Sequence, residues 1–381
     1  MKFSYHNPTR ILFGEGQIAA LAKQIPAGEK VLVIYGGGSI KQNGVYQQLS
    51  QTLAEHNWIE FSGVEPNPTV ETLDKAVALV REQQVSLIVA VGGGSVIDGS
   101  KYVAAAAKYD GDGWDILEGK HRVTEAVPLG VVLTLPATGS ESNGGSVITR
   151  ASTQEKRAFG SPAVHPQFAV MDPAVMKTLP LRQLQNGLVD AFVHVCEQYL
   201  TTPQGAMVQD GYAEALLKNL VTLAADFSNH DSDQWRANLM WTANQALNGM
   251  IGSGVSQDWA THMIGHELTA FWGIDHARTL AIIQPALLRE IIEEKRQKLE
   301  QMGQNVFNLN VTPDLAEQTI NRIEALYHSL DINTRLADQI GETENPVEMV
   351  ITALEQHGMV KLGDLGSITP DVSRRIVQRA L

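Results

Sequence analysis

Two short, mostly apolar stretches of the sequence carry one aspartate and four histidines that could share a metal ion. These residues are Asp190, His194, His262, His266 and His276. Asp190 and His194 are four positions apart, as are the first two histidines of the second stretch, and this spacing places side chains on one face of a helix. Burying such groups without partners would cost about 1–3 kcal/mol each, a cost that a bound metal removes. We interpret the set as a metal site, although any one of these histidines alone would be read as a core or interface residue.

The donor types narrow the choice of metal. One carboxylate with several imidazoles suits Zn²⁺ or Fe²⁺, whereas Mg²⁺ and Ca²⁺ prefer oxygen ligands. The segment from His262 to His266 reads HMIGH and lacks the glutamate of the HExxH zinc proteases, so that class is excluded. Spacing alone leaves a hydrolase of another kind open.

A glycine-rich loop is the second candidate site. Residues 88–101 (IVAVGGGSVIDGSK) are typical of a strand, a glycine loop and the start of a helix. Glycines let the backbone approach a pyrophosphate closely, and the free N–H groups at a helix start attract anions. The pattern is not the GxGxxG fingerprint. Spacing alone therefore predicts either a phosphate-binding loop or a tight turn without a ligand.

An earlier loop, residues 35–41 (YGGGSIK), partly repeats this pattern. A carboxylate near such a loop commonly holds the ribose of NAD, whereas a 2′-phosphate prefers neutral and cationic groups. This loop contains no carboxylate but offers Ser39 and Lys41. The pattern favours NADP over NAD, with a solvated surface charge as the alternative reading of Lys41.

The pattern of apolar residues predicts which elements position these groups. Up to about residue 180, continuous apolar runs alternate with a helical stretch, which indicates a parallel sheet covered on both faces. The predicted strands are 31–35, 85–91, 130–135 and 168–171, and the helical stretch is 69–83. Past about residue 185, long amphipathic stretches indicate a helical half. These are 187–200, 206–226, 234–250, 257–271, 279–300 and 313–329, followed by a helix start with a capping hydroxyl at Thr369-Pro370-Asp371.

Length and charge agree with this division and exclude several classes of function. With 381 residues the chain exceeds what one core normally supports, and we predict domains at 1–180 and 181–381. The net charge of −13 argues against sequence-independent nucleic-acid binding. A single cysteine, Cys196, fits a reducing compartment. No signal-peptide pattern or apolar run long enough for a membrane span is seen, so we predict a cytoplasmic protein.

Three motifs together resemble the iron-containing (group III) alcohol dehydrogenases. They are GGGSVID at 92–98, DAFVH at 190–194 and HMIGHELTAFWGIDH at 262–276. Within that family the chain is similar to the NADPH-dependent aldehyde reductase and butanol dehydrogenase branch, from PTRILFGEG at 8–16 to DVSRRI at 371–376. The resemblance implies a dehydroquinate synthase-like fold, with an α/β N-terminal dinucleotide-binding domain and an all-α C-terminal metal-binding domain.

The resemblance also implies roles for individual residues. The metal ligands would be Asp190, His194, His262 and His276. His266 would lie beside the metal as a catalytic proton relay, whereas spacing alone pairs it with His262. The cofactor-binding positions would be Gly37, Gly38, Ser39, Asn67, Gly92, Gly93, Gly94, Ser95, Asp98, Thr134, Thr138, Asn143 and Lys156.

The implied activity is reversible hydride transfer between NADP(H) and small aldehydes or primary alcohols, with Zn²⁺ or Fe²⁺, in a homodimer. A glycerol-dehydrogenase-like polyol oxidase and a dehydroquinate-synthase-like lyase remain open on the same fold. The apolar residues Trp259, Met263, Phe271 and Trp272, with only Arg278 as a nearby cation, favour simple aldehydes over a phosphorylated acid. A regulatory protein that senses the cofactor would need no metal and is the third alternative.

Overall fold

A computed structural model describes residues 1–342 and 344–381 of the chain. The described residues divide into two compact units. The sheet unit comprises His6–Pro180 and Asp231–Asn244, and the helical unit comprises Met1–Tyr5, Leu181–His230 and Gln245–Leu381.

Parallel strands form the centre of the sheet unit. Over the described residues the strands are β1 (Arg10–Phe13), β2 (Lys30–Tyr35), β3 (Asn57–Phe61), β4 (Leu87–Gly92), β5 (Leu129–Leu133), β6 (Gly145–Arg150), β7 (Glu155–Gly160) and β8 (Phe168–Met171). Six of them pair in parallel in the order β1-β8-β5-β4-β2-β3. The central strands β4, β5 and β8 are buried along their whole length, as continuous apolar runs require when both faces are covered. The predicted parallel sheet is confirmed.

Helices and a hairpin complete the sheet unit. The helices before residue 120 are α1 (Ser39–Gln42), α2 (Val45–Thr52), α3 (Val70–Glu82), α4 (Gly94–Ala106) and α5 (Trp114–Leu117). Helix α3 begins where the Thr69 hydroxyl accepts the N–H of Thr72. Strands β6 and β7 form an antiparallel hairpin that the sequence analysis did not predict. Its residues include charged side chains and no continuous apolar run, so the pattern gave no signal.

The rest of the chain is helical, as predicted. Its helices are α6 (Leu181–Tyr199), α7 (Met207–Ala225), α8 (Asp233–Ala246), α9 (Ala260–Trp272), α10 (His276–Glu290), α11 (Ile292–Asn305), α12 (Leu315–Ser329), α13 (Ala337–Ile340), α14 (Pro346–Gln356) and α15 (Pro370–Ala380). Short 3-10 helices lie at Gln17–Gln24, Ser140–Ser142, Pro162–Val164, Pro173–Thr178 and Phe227–Asn229. No helix among the described residues has the length and apolar character needed to cross a bilayer.

Two details of the predicted helices were wrong. The stretch 279–300 is two helices, because Ile291 leaves helical geometry (φ −113°, ψ 30°) between α10 and α11. Helix α15 does begin at Pro370, but within the described chain the Thr369 side chain makes no capping hydrogen bond. Proline at the first helical position has no N–H, so this helix start has one backbone donor fewer that needs a partner outside the helix.

Candidate active site

Three helices of the helical unit carry the predicted metal ligands. Asp190 and His194 lie one turn apart on α6, His262 lies in the first turn of α9, and His276 is the first residue of α10. The first three are buried to 5% exposure or less. The turn at Gly273 (φ +64°) ends α9 and lets the chain enter α10 within a few residues, which brings the last histidine back toward the others.

The distances between donor atoms fit a single ion. Ligand atoms of Asp190, His194 and His262 all lie within 4.8 Å of one another. Oδ1 of Asp190 is 3.6 Å from Nδ1 of His194 and 3.7 Å from Nε2 of His276. Two donors bound to Zn²⁺ at about 2.1 Å in tetrahedral geometry are about 3.4 Å apart. The carboxylate and imidazoles therefore have both the chemistry and the spacing of a Zn²⁺ or Fe²⁺ site.

A second buried carboxylate, Glu197, borders this cluster. It contacts Nδ1 of His262 and accepts the backbone N–H of Thr261 at 2.7 Å. Burial raises the pKa of the Glu197 carboxyl to about 7, against the lowering effect of these hydrogen bonds. Carboxylates in this position orient metal-binding imidazoles in many proteins.

His266 lies beside the predicted ligands and is buried. Its ring centroid is 6.2 Å from that of His262 and 5.2 Å from that of His276. The next residue, Glu267, accepts a hydrogen bond at 2.8 Å from Nδ1 of His357, which directly follows α14. The helix α9 thus carries two histidines at the cluster and, separately, a buried carboxylate that pairs with a histidine from elsewhere in the chain.

In the sheet unit, the predicted cofactor residues gather where neighbouring strands end. Gly37, Gly38 and Ser39 follow β2, and Gly92–Ser95 span the end of β4 and the start of α4. Thr134, Thr138 and Asn143 follow β5. These three strands are adjacent and parallel, so their carboxyl ends meet at one edge of the sheet, where ligands of open α/β sheets bind.

Close packing explains why position 94 is a glycine. A Cβ on Gly94 would lie 2.6 Å from Cγ2 and 2.7 Å from Oγ1 of Thr138, so these two predicted residues are in direct contact. Gly38 differs, because its φ of +100° favours glycine whatever the available space. Around Gly37, no heavy atom of the described residues lies within 4 Å of the Cβ position, so this glycine leaves open space at the loop.

A buried lysine, Lys101 on α4, organises the loop that follows β5. Its Nζ donates hydrogen bonds to Ser140 Oγ at 2.7 Å, Asn143 Oδ1 at 3.0 Å and the Gly145 carbonyl at 2.7 Å. The predicted residue Asp98 accepts from Ser140 Oγ at 2.5 Å. Burial lowers the pKa of Lys101 to about 8, although Asp98 and Glu141 favour its charged form. Asp98 and Asn143 therefore have structural hydrogen bonds within the sheet unit.

Two predicted cofactor residues that are distant in sequence lie together. Lys156 Nζ donates to Asn67 Oδ1 at 2.9 Å. Asn67 has a φ of +56°, and Lys156 is buried on β7 of the hairpin. A backbone hydrogen bond from Thr149 to Pro68 of 2.9 Å attaches the hairpin to the segment that contains Asn67.

A carboxylate also lies near the loop after β2, where the sequence analysis found none within the loop itself. Glu60 on β3 is 3.6 Å from Nζ of Lys41. The same ammonium lies over the rings of Tyr35 and Tyr46, at 5.3 and 4.7 Å from their centroids. The pKa of Lys41 is raised, chiefly by its hydrogen bond with Tyr35. Lys41 is thus an exposed ammonium that also contacts Glu60 and two tyrosine rings.

Sequence reasoning missed Glu197, Lys101 and Glu60. Glu197 did carry a signal, because it follows Asp190 by seven residues and His194 by three and so shares their helix face. Lys101 closes the GGGSVIDGSK motif one turn after Asp98. Glu60 carried no signal, because only strand order brings β3 beside β2.

Comparison with protein families covers most of the chain. The family described as iron-containing alcohol dehydrogenase matches residues 8–173. The family described as the C-terminal part of the Fe-containing alcohol dehydrogenases matches residues 185–362.

Individual proteins match over nearly the full length. The NADPH-dependent aldehyde reductase YqhD of Escherichia coli (strain K12) is 50% identical, covering 99% of this chain and 99% of that protein. A probable NADH-dependent butanol dehydrogenase of Bacillus subtilis (strain 168) is 42% identical over 88% of this chain and 89% of its own length. The crystal structure of E. coli K-12 YqhD superposes with a TM-score of 0.97 at 49% identity, covering 100% of this chain and 99% of that one.

Proposed function

Because the chain belongs to the iron-containing alcohol dehydrogenase family, we propose that it is a metal-dependent NADP(H)-linked oxidoreductase that interconverts aldehydes and primary alcohols. The observation that carries this proposal is the convergence of Asp190, His194 and His262 within 4.8 Å in the helical unit. In this proposal, residues 1–180 bind the dinucleotide and residues 181–381 bind the metal.

The four predicted ligands and His266 would have distinct tasks. Asp190, His194, His262 and His276 would hold one divalent ion, either Zn²⁺ or Fe²⁺. The chemistry supplied by the bound NADPH would be hydride donation, and that supplied by the bound metal would be Lewis-acid polarisation of the aldehyde carbonyl. An imidazole nitrogen of His266 would pass the proton that the alcohol product requires. Its burial next to His262 and His276 supports this role.

The cofactor would contact the edge where β2, β4 and β5 end. The set proposed for this role is Gly37, Gly38, Ser39, Asn67, Gly92, Gly93, Gly94, Ser95, Asp98, Thr134, Thr138, Asn143 and Lys156. The absence of a carboxylate within residues 35–41 supports NADP(H) over NAD(H), and Lys41, which pairs with Glu60 of β3, is the cation of this loop. The name of the E. coli relative, at 50% identity, states NADPH dependence and supports the same choice, whereas the name of the B. subtilis relative, at 42% identity, states NADH dependence.

Small aldehydes are the substrates best supported by the surroundings of the metal site. The Trp259 ring lies 6.2 Å from the His194 ring and 5.3 Å from the His262 ring, so an apolar surface borders the predicted ligands. Arg278, the nearby cation, already donates to the Asp331 carbonyl at 3.3 Å. The names of the aldehyde reductase and butanol dehydrogenase relatives do not favour the polyol oxidase or lyase alternatives.

We also propose a homodimer that acts in the cytoplasm. Strand β1 is an edge of the six-stranded sheet and pairs with β8 on one side, so it offers backbone groups to a second copy. The single, buried cysteine fits a reducing compartment. The net charge of −13 is consistent with a small-molecule substrate and no nucleic-acid partner.

Initial rates of butanal reduction with NADPH and with NADH test the coenzyme assignment. We expect a kcat/KM at least about tenfold higher with NADPH, which corresponds to about 1.4 kcal/mol of differential binding. Equal efficiencies would overturn the preference drawn from residues 36–39. No reduction with either coenzyme, by protein loaded with Zn²⁺ or Fe²⁺, would overturn the proposed reaction.

A further inference from the structure

Glu197 lies directly behind one of the predicted metal ligands. It is on the face of α6 that carries Asp190 and His194, and its side chain is 4% exposed. Its Oε2 contacts Nδ1 of His262 on the neighbouring helix α9. The carboxylate therefore contacts Nδ1, and Nε2 lies on the opposite side of the imidazole ring.

The same carboxylate fixes the start of α9. Oε1 of Glu197 accepts the N–H of Thr261 at 2.7 Å, and Oε2 accepts the N–H of His262 at 3.3 Å. Asp258 accepts the preceding N–H, that of Ala260, at 3.0 Å. The first N–H groups of a helix have no partner inside the helix, so these two carboxylates replace a conventional cap. Glu197 thus contacts both the start of the helix that carries His262 and Nδ1 of its ring.

A buried ion-pair network contains Asp258, the second of these carboxylates. Nζ of Lys295 lies 2.6 Å from both Asp258 Oδ2 and Asp364 Oδ1, and all three side chains are 5% exposed or less. The backbone N–H of Asp258 donates to the carbonyl of Glu197 at 2.8 Å. The start of α9 is therefore anchored to α6 and α11, and a change confined to the Glu197 side chain leaves most of this anchor in place.

We propose that Glu197 is a positioning residue that selects the ring orientation and tautomer of His262 for metal binding. This inference rests on the proposed function. An imidazole whose Nδ1–H donates to a carboxylate presents the lone pair of Nε2, and the carboxylate makes that nitrogen a stronger donor. Without it, His262 would populate other rotamers and the second tautomer, and the ion would bind less tightly.

Replacement of Glu197 by glutamine tests the proposal on the full chain. Co²⁺ is the probe, because its visible absorption reports both affinity and ligand geometry. Co²⁺ affinity is measured by competition with a chelator on metal-free protein whose fold is verified by circular dichroism. We expect Glu197→Gln to bind Co²⁺ about 10- to 100-fold more weakly, with an altered absorption band. Unchanged affinity and an unchanged band would overturn the proposal.

Glu267→Gln is the matched control. Glu267 is also a buried carboxylate, on α9 itself, that accepts a hydrogen bond from a histidine Nδ1, but its partner His357 is not a predicted ligand. We expect this variant to keep the Co²⁺ affinity of the unmodified protein. An equal loss in both variants would overturn the proposal in favour of a general effect of removing a buried charge.

A double-mutant cycle separates positioning of the ring from support of the helix. In the His262→Ala background, Glu197→Gln should weaken Co²⁺ binding by less than about threefold, because the ring on which it acts is gone. A full 10- to 100-fold loss in that background would assign Glu197 a merely structural role. If Glu197→Gln fails to fold, Glu197→Asp keeps the charge and withdraws it from Nδ1. Its Co²⁺ affinity should fall, and unchanged affinity would overturn the proposal.

Failure of this inference and failure of the proposed function give different results. Absence of Co²⁺ binding by the unmodified protein would overturn the proposed metal site and this inference with it. Normal binding by the unmodified protein together with normal binding by Glu197→Gln would overturn this inference alone.

Discussion

At the scale of single residues, the metal site depends on groups whose burial makes them difficult to replace. His194 is 4% exposed, and its Nδ1 lies 3.6 Å from Oδ1 of Asp190. Its ring stacks on that of His262 with centroids 4.7 Å apart. Replacement by alanine therefore removes a buried, predicted ligand.

We predict that His194→Ala loses the metal and the activity together. Removing a metal ligand should weaken metal binding more than removing a residue that only contacts a ligand. NADPH-dependent butanal reduction should therefore fall by more than about 100-fold. Metal content per chain and initial rates are measured on the same preparation, with His357→Ala as a control that keeps both. A His194→Ala protein with full activity would contradict the ligand assignment.

The buried ammonium of Lys101 makes stability depend on pH. Burial lowers its folded-state pKa from 10.5 to about 8. Between about pH 8 and 10.5 the unfolded chain therefore binds more protons at this residue than the folded chain, and stability contributed by this group rises with pH across that window. The gain is about 3 kcal/mol over the whole window.

Urea unfolding of the unmodified protein and of Lys101→Met from pH 7.5 to pH 10 checks this sign. Burial raises the pKa of the Asp98 and Glu141 carboxyls and the Lys101 ammonium lowers it, so the difference between the two proteins reports Lys101 together with these two neighbours. The midpoint of the unmodified protein should rise relative to that of the variant as the pH increases. Parallel midpoints across this range would show that Lys101 titrates normally.

At the scale of elements, the glycine loop after β4 combines a packing requirement with a binding requirement. Gly94 is the first residue of α4, and its Cβ position is taken by the Thr138 side chain. Gly37, in the loop after β2, has free space at its Cβ position as far as the described residues are concerned. Substitution by alanine should therefore affect the two positions differently.

We predict that Gly94→Ala lowers both stability and NADPH affinity, whereas Gly37→Ala lowers NADPH affinity alone. Overpacking against Thr138 should cost about 1–3 kcal/mol, and the open position should change stability by less than about 0.5 kcal/mol. Thermal unfolding and a fluorescence titration with NADPH separate the two effects. A Gly94→Ala protein as stable as the unmodified one would show that the segment containing Thr138 moves without loss of stability, and would contradict the prediction.

The sequence predicted elements well where apolar periodicity was strong and poorly where tertiary contacts decide. The run Phe168–Met171 matches β8, since a fully buried strand must be continuously apolar. The hairpin of β6 and β7 has no such run. The helix break at Ile291 was missed because the amphipathic pattern continues through it. Spacing along α9 paired His262 with His266, whereas the position of His276 beside Asp190 results from the turn at Gly273, which periodicity does not encode.

At the scale of the whole molecule, each unit supplies one half of the proposed chemistry. The sheet unit provides the edge formed by β2, β4 and β5, and the helical unit provides the cluster of Asp190, His194 and His262. The chain carries a net charge of −13, so attraction of an anionic cofactor must come from local N–H groups and lysines. The resemblance of the sequence motifs to the family predicts the cofactor-binding residues of the first unit and the metal ligands of the second. The buried groups behind them, Lys101 and Glu197, became apparent only in the three-dimensional structure.

Metal removal followed by metal return tests the central claim most directly. The full-length protein is treated with a chelator, and butanal reduction with NADPH is measured before treatment, after it and after return of Zn²⁺ or Fe²⁺. We predict that the treated protein keeps its fold, binds NADPH and has lost nearly all activity, and that one of the two metals restores it. A metal-free protein that reduces butanal at the original rate would contradict the claim that Asp190 and the neighbouring histidines hold a catalytic ion.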